Sequence, residues 1–425
     1  MPRLSERVRD LRGSPIRAIL EATQRPGMVS LAGGLPSPDT FADLPLPAPP
    51  RDLLQYGPTE GEPALRRRIA EELGAIGLDC PPERVLVLSG SQQGIDLAAK
   101  LHVDRGTGVA VQSPAYLAAL QVFRFFGAAF QTLDAANPGA GWTGADRPAL
   151  AYVTPTFQNP TGRCWTAGER QALADACDAR GVTLFEDDPY RDLAYDPCER
   201  TPICSLVKRA PWIYQGSFSK TVAPGLRLGF LAASEDIFGH LVRLKQAADL
   251  HSSRLSQWIV LQHLNDADRA GRLDRIVDLY RAKRDRFAEA MTRHLGGLAD
   301  WDVPPGGLFF WATLRAPTDT AALLERALER NLAFMPGEAF ETAPGPRPST
   351  LRLNFSCAEA AGAERGLGVL ASLLREDAER GSEKAGNGSL LNGRVPDRRD
   401  PEHPAHPDWR SASRARAGAG SLPRR

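Results

Sequence analysis

Lysine is scarce in this 425-residue chain. It occupies six positions, Lys100, Lys208, Lys220, Lys245, Lys283 and Lys384, within a combined 52 lysines and arginines. Where charge alone is needed, such a chain drifts to arginine, so a lysine between hydroxyl residues in GSFSKTVAPGLRLGF raises the question of what an amine does there. Other shortages exclude whole classes. The six cysteines, Cys80, Cys164, Cys177, Cys198, Cys204 and Cys357, form no C-x-x-C and no regular spacing, and Met1 leads into a charged stretch rather than a signal's apolar run; both point to a reduced, cytoplasmic protein. The seven histidines are scattered without finger or H-E-x-x-H spacing, so no metal is expected. No apolar run approaches the roughly 20 residues that span a bilayer. A net charge of +1 offers nucleic acid or an acidic membrane no long-range attraction.

What is present is an alternation. Between residues 82 and 235 the short apolar runs RVLVLSG, GVAVQSP, ALAYVTP, VTLFEDD, PWIYQGS and RLGFLAAS alternate with helical patterns. Runs this short, apolar on both faces, predict a buried, mostly parallel sheet covered by helices, an α/β fold. Thr166 with Glu169 predicts a capping box, and Gly181 the stop of that helix. An amphipathic pattern from about Arg272 to Leu295, then PPGGLFFWATL, a helix over Thr320 to Glu329, STLRLNFS and a last helix ending near Glu376 predict a smaller α+β domain. The expected division is an N-terminal segment (1–45) joining the small domain and the site, a large domain (46–290), a small domain (291–377) and a disordered tail (378–425) rich in Gly, Pro, Ser and Arg.

In an open parallel sheet, ligands bind beyond the carboxyl ends of the strands. The residues at those ends are Ser91 and Gln92 in SGSQQG, Tyr116, Asn159 in TPTFQNPTG, Asp187 and Tyr190 in FEDDPY, and Ser217, Ser219, Lys220 and Arg227. SGSQQG opens a helix, whose amides and dipole can hold a phosphate, and Ser217, Ser219 and Arg227 add donors. Taken alone, Asp187 is a turn acid, Tyr190 a packing residue and Ser91 a helix cap. Taken together, they offer a carboxylate for a pyridinium nitrogen, donors to a ring oxygen, and in Lys220 an amine able to form a Schiff base.

The chain resembles the fold-type I, class I/II aminotransferases that use pyridoxal 5'-phosphate, and within them the 2-aminoadipate group. The resemblance is carried by LAGGLPSPDTF, LQYGPTEGEPALR, SGSQQGIDLAAK, SPAYLAALQVFR, PTFQNPTG, FEDDPYRDL, GSFSKTVAPGLRLGF, KQAADLHSSRLSQ, PPGGLFFWATL, AFMPGEAF and TLRLNFS, in family order over about residues 15 to 375. It implies a mostly parallel seven-stranded sheet in a large cofactor-binding domain. It implies that Lys220 carries the cofactor as a Schiff base, that Asp187 pairs with the pyridine nitrogen, that Tyr190 and Asn159 bind the ring oxygen and that Tyr116 stacks on the ring. Ser91, Gln92, Ser217, Ser219 and Arg227 would hold the phosphate, with Tyr56 reaching the neighbouring subunit's phosphate in a homodimer with shared sites. Arg352 matches the clamp on the substrate's α-carboxylate, beside Asn159. Arg17 and Gly34 fall where the 2-aminoadipate enzymes receive the substrate side chain. The segment DAANPGAGWTGADRP is shorter than the family's linker there, and the long tail is foreign to the pattern.

The implied activity is ping-pong exchange of an amino group between an L-2-amino acid and a 2-oxo acid. A lyase, cyclase or oxidase using the same cofactor and lysine is the alternative. The effector domain of a transcription regulator is a third reading; the resemblance begins about fifteen residues from Met1, which leaves no room for an N-terminal DNA-binding module.

Overall fold

The computed structural model describes residues 4–9, 25–41, 46–343 and 349–391, with side chains described as far as residue 380. Arg17 and the tail beyond Leu391 therefore lie outside the described residues. Thirteen strands are numbered in chain order among them.

Seven strands make the main sheet: β2 (Val85–Leu88), β3 (Gly108–Val111), β4 (Ala129–Thr132), β5 (Leu150–Val153), β6 (Thr183–Asp187), β7 (Trp212–Ser217) and β8 (Gly229–Ala233), in the order β2-β8-β7-β6-β5-β3-β4. Only β8 runs antiparallel to its neighbours β2 and β7. Every residue of β2, β5 and β6 is buried, which is why these strands read as unbroken apolar runs. One core cluster on each face packs the covering helices against the sheet. Sequence reading finds six of these strands. It misses β4, an edge strand with no buried residue, whose AFQT carries no apolar run.

Local signals account for the helix ends. Thr166 and Glu169 form the reciprocal capping box, with Thr166 accepting from the Glu169 amide and the Glu169 carboxylate accepting from the Thr166 amide. Gly181 closes the same helix, Ala167–Arg180, in the left-handed conformation at φ 61°. The amphipathic helix runs Arg269–Leu295 and buries Ile276, Tyr280, Arg284, Phe287, Ala290, Met291 and Leu295, a stripe at three- and four-residue spacing.

Residues 1–378 form one compact unit, and a second sheet lies within it. Its order is β12-β13-β10-β9, all antiparallel, from β9 (Ala299–Trp301), β10 (Phe309–Leu314), β12 (Met335–Pro336) and β13 (Thr350–Asn354). The N-terminal segment joins this region: β1 (Val29–Ser30) pairs in parallel with β11 (Leu332–Ala333), and the Asn354 amide donates to Leu31 O at 2.8 Å. The last helix, Ala360–Leu391, continues past its expected end near Glu376. Among the described residues no helix is long and apolar enough to cross a membrane.

The helix Ser91–His102 lies close on the sheet because residue 94 has no side chain. A Cβ on Gly94 would stand 1.8 Å from Gln215 Oε1 and 2.9 Å from Leu88 Cδ1, whereas one on Gly74 would meet nothing within 4 Å. Gly94→Ala is expected to lower stability by about 1–3 kcal/mol through overpacking, and Gly74→Ala to raise it by about 0.4–1 kcal/mol through the unfolded chain. Denaturant unfolding of the two variants checks this; equal effects would contradict the packing argument.

Candidate active site

The register of three strands builds the centre of the site. Asp187 ends β6 opposite Gln215 of β7, and Tyr152 of β5 sits opposite Phe185, two residues before Asp187 and therefore on the same face. Tyr152 donates its hydroxyl to Asp187 Oδ2 at 2.7 Å, and Gln215 donates Nε2 to Oδ1 at 2.8 Å. Both donors are neutral, and the carboxylate is 3% exposed. Burial pushes its pKa up to about 6, against the two hydrogen bonds, with Asp188 adding a little in the same upward direction.

Around Asp187 lies a cavity of about 140 Å³ lined by Ser91, Gln92, Tyr116, Thr154, Asn159, Pro189, Tyr190, Ser217, Ser219, Lys220 and Arg227. Ten expected site residues thus meet in one place, at the carboxyl edge of the sheet. At one end, Gly90 caps the helix Ser91–His102 at φ 85° without a side-chain cap, so Ser91 is not the cap that a reading of its position alone suggests. The first amides of a helix have no intrahelical acceptor and carry its partial positive charge. Arg227, itself at φ 48°, lays its guanidinium against Gly90, where a Cβ would be 2.6 Å from Nη2.

Lys220 Nζ donates to Gly34 O at 2.9 Å and stands 5.9 Å above the Tyr190 ring. Desolvation lowers its pKa to about 8, opposed by Cys357 and assisted by Arg227 and Arg352. Tyr116 begins the helix Leu117–Phe126 as its cap, and burial, then the Asp187 charge, raises its phenol to about 12. Burial, then the neighbouring Tyr116, raises the Tyr190 phenol, against the Arg352 charge and the Asn159 side chain.

Arg352 adjoins the cavity from β13. It is 4% exposed, donates Nη1 to Asn159 Oδ1 at 2.8 Å and Nη2 to Ala32 O, and lies 4.3 Å from the Phe309 ring centroid and 5.0 Å from that of Phe340. Burial lowers its pKa to about 10. Its Nε has no protein partner among the described residues. Tyr56 is not in the cavity. It is 76% exposed and packs edge-on to His251, 5.8 Å between ring centroids.

Sequence reasoning missed Tyr152 and Gln215, which hold Asp187. The signal for Gln215 was available, since an amide inside the apolar run WIYQGS requires a buried partner.

The family model described as "Aminotransferase class I and II" matches residues 48–370. The 2-aminoadipate transaminase of Thermus thermophilus is 36% identical over 382 residues, covering 86% of this chain and 94% of that protein, and the aromatic-amino-acid aminotransferase 1 of Thermococcus litoralis is 31% identical, covering 88% and 94%. Among solved structures, LysN of Thermus thermophilus, an α-aminoadipate aminotransferase complexed with N-(5'-phosphopyridoxyl)-L-leucine, superposes with a TM-score of 0.77 at 33% identity over 88% of this chain and 97% of that one. The chain belongs to the class I and II aminotransferases. It has the fold-type I architecture of that family, and its cofactor is pyridoxal 5'-phosphate.

The residues present fit that cofactor. A buried carboxylate without a cationic partner suits a pyridinium nitrogen, a helix terminus whose cap position has no room for a Cβ suits a phosphate, and a desolvated amine suits an aldehyde. Without the cofactor both charges are costly at pH 7. Asp187 contributes stability below its ordinary 3.8 and loses it as pH rises through about 6. Lys220 contributes above its ordinary 10.5 and loses it as pH falls through about 8. Asp187→Asn apoprotein is therefore expected to melt at or above the parent at pH 7, while the rise in melting temperature brought by pyridoxal phosphate is largely lost. Full retention of that rise would show that Asp187 does not face the ring.

Proposed function

We propose that the chain exchanges an amino group between an L-2-amino acid and a 2-oxo acid in two half-reactions at one site, a ping-pong cycle, with Lys220 as the point of covalent attachment of the cofactor and the carrier of the substrate's α-proton. The observation that carries this reading is Lys220 itself, an amine whose pKa burial draws down to about 8 in the cavity that also holds Asp187. Pyridoxal phosphate, when bound, supplies an aldehyde that condenses with amines and a protonated ring that withdraws electrons from the α-carbon.

The chain's own residues then divide the work. Ser91, Gln92, Ser217, Ser219 and Arg227 line the cavity and would hold the phosphate, and Asp187 would keep the ring nitrogen protonated, its two oxygens held in place by Tyr152 and Gln215. Tyr190 and Asn159 would hold the ring oxygen, and Tyr116 would pack against the ring. Arg352 orients the substrate by its α-carboxylate, with Asn159 linking that end to the ring oxygen. Gly34 borders the substrate space; a Cβ there would lie 3.3 Å from Phe309 Cζ.

The same reading includes a homodimer. Leu54, Tyr56, Leu250 and Leu255 are exposed large apolar residues, and Arg254 joins the two stretches by donating to Asp52 O and Gln55 O. Leu250 adopts φ 64°, a strained conformation for leucine. A second copy covering this patch would bring Tyr56 toward its neighbour's phosphate. A reducing, cytoplasmic compartment fits the six cysteines, none of them in a disulfide.

Holoenzyme given an amino acid without any oxo acid is expected to make one equivalent of 2-oxo acid per active site, with the cofactor left in its amine form. Catalytic release of ammonia or peroxide would point instead to a lyase or oxidase. Lys220→Arg is expected to fold and bind the cofactor, yet to lose turnover by at least about 10³-fold, since guanidinium neither condenses with the aldehyde nor returns a proton at neutral pH.

A further inference from the structure

Cys164 and Cys198 are far apart in sequence, yet their thiols are close enough to shift each other's titration. Cys164 Sγ is also 2.9 Å from the carbonyl oxygen of Glu199, the neighbour of Cys198, and 3.6 Å from Arg170 Nη2. Both cysteines are half-buried at the margin of the apolar cluster beneath the four-stranded sheet, so each keeps access to solvent.

Arg170 organises this junction. Wholly buried, it donates Nη2 to Pro155 O and Thr156 Oγ1, both at 3.0 Å, on the loop leading to Asn159. It also donates to Glu199 O at 2.9 Å and Thr201 O at 3.1 Å on the segment after Tyr190. Interaction with Cys198, then the Arg170 charge, lowers the Cys164 thiol against the cost of burial, and the same interaction raises that of Cys198. A large thiolate fraction at neutral pH is what makes a cysteine a nucleophile. The remaining cysteines differ. Burial raises the thiols of Cys80, Cys177 and Cys204, and it also raises that of Cys357, which donates to carbonyls of the N-terminal segment and accepts from Ser356 Oγ.

We infer that Cys164 and Cys198 form an oxidisable dithiol, a modification site at which a hydroperoxide closes a disulfide between the loop that carries Asn159 and the segment that follows Tyr190. The Cys164 thiolate attacks one peroxide oxygen, the O–O bond breaks and hydroxide departs, leaving a sulfenic acid. Cys198 sulfur then attacks that sulfur, the S–O bond breaks, and the oxygen leaves as water with the Cys198 proton. Two electrons pass from the two thiols to one peroxide, which with the two thiol protons ends as two waters. The bond formed, about 2.05 Å long, ties covalently two segments that hydrogen bonds of Arg170 and Cys164 already bring together.

The test is peptide mapping of holoenzyme treated with hydrogen peroxide, alkylated and digested with trypsin without reductant. The expected product is the peptide of residues 164–170 joined to that of residues 192–200, lighter than their sum by two hydrogens and separated by dithiothreitol. In Cys198→Ser, which lines no part of the cavity and keeps the parent's activity before treatment, the cross-link is absent and Cys164 stops at a sulfenic acid that dimedone traps. The inference is overturned if Cys164 remains alkylatable while Cys357 oxidises, or if Cys164 in the parent proceeds to sulfinic acid with no linked peptide.

Discussion

The site depends on a carboxylate kept out of water by neutral donors. Among the described residues Asp187 receives a phenol and an amide and no cation, so its charge is left to be balanced by a ligand. The next residue shows the alternative. Asp188 points to the other face of the strand, where it pairs with Arg191 at 3.1 Å and accepts from the Tyr214 hydroxyl at 3.1 Å. One step along β6 therefore separates a carboxylate settled within the protein from one held for the cofactor, and the pleat of the strand makes that separation.

Arginine and lysine divide along similar lines. Arg352 and Arg170 act through planar, permanently charged forks that reach several acceptors at once, and Arg227 lays such a fork against Gly90. Lysine is used where a compact amine is needed, and Lys220 is not the only such place. Lys245 is fully buried, donating to Gln93 Oε1 and Asp249 at 2.9 Å and to Ser252 at 3.1 Å, while Ser89 also donates to Asp249. That cluster fixes the start of the helix whose terminus faces the cavity. Scarcity of lysine thus marks two built sites, and only the neighbourhood of Lys220, with Asp187 across the same cavity, distinguishes chemistry from support.

Most of the sheet and most of the cavity lining were legible because both follow from short-range patterns. Apolar runs of four to six residues gave the buried strands, and the residues after them gave the ligand edge. The edge strand β4 was not legible, since a strand exposed to solvent has no apolar signature. Gln215 stands out locally as an amide inside an apolar run, but that it and Tyr152 both serve Asp187 depends on which residue of a neighbouring strand each faces, a matter of register that no local pattern encodes. The pairing of the N-terminal segment with β11 and β13 runs across three hundred residues of chain and leaves no periodic trace.

The central claim is that Lys220, rather than any other amine, holds the cofactor. Borohydride reduction of the holoenzyme fixes the bound pyridoxal group to its amine, and digestion followed by mass spectrometry locates it. The account predicts a single adduct on the tryptic peptide of residues 210–227, at Lys220, with trypsin no longer cutting there. An adduct at Lys245 or at any other lysine, or full recovery of unmodified Lys220 from reduced holoenzyme, would contradict it.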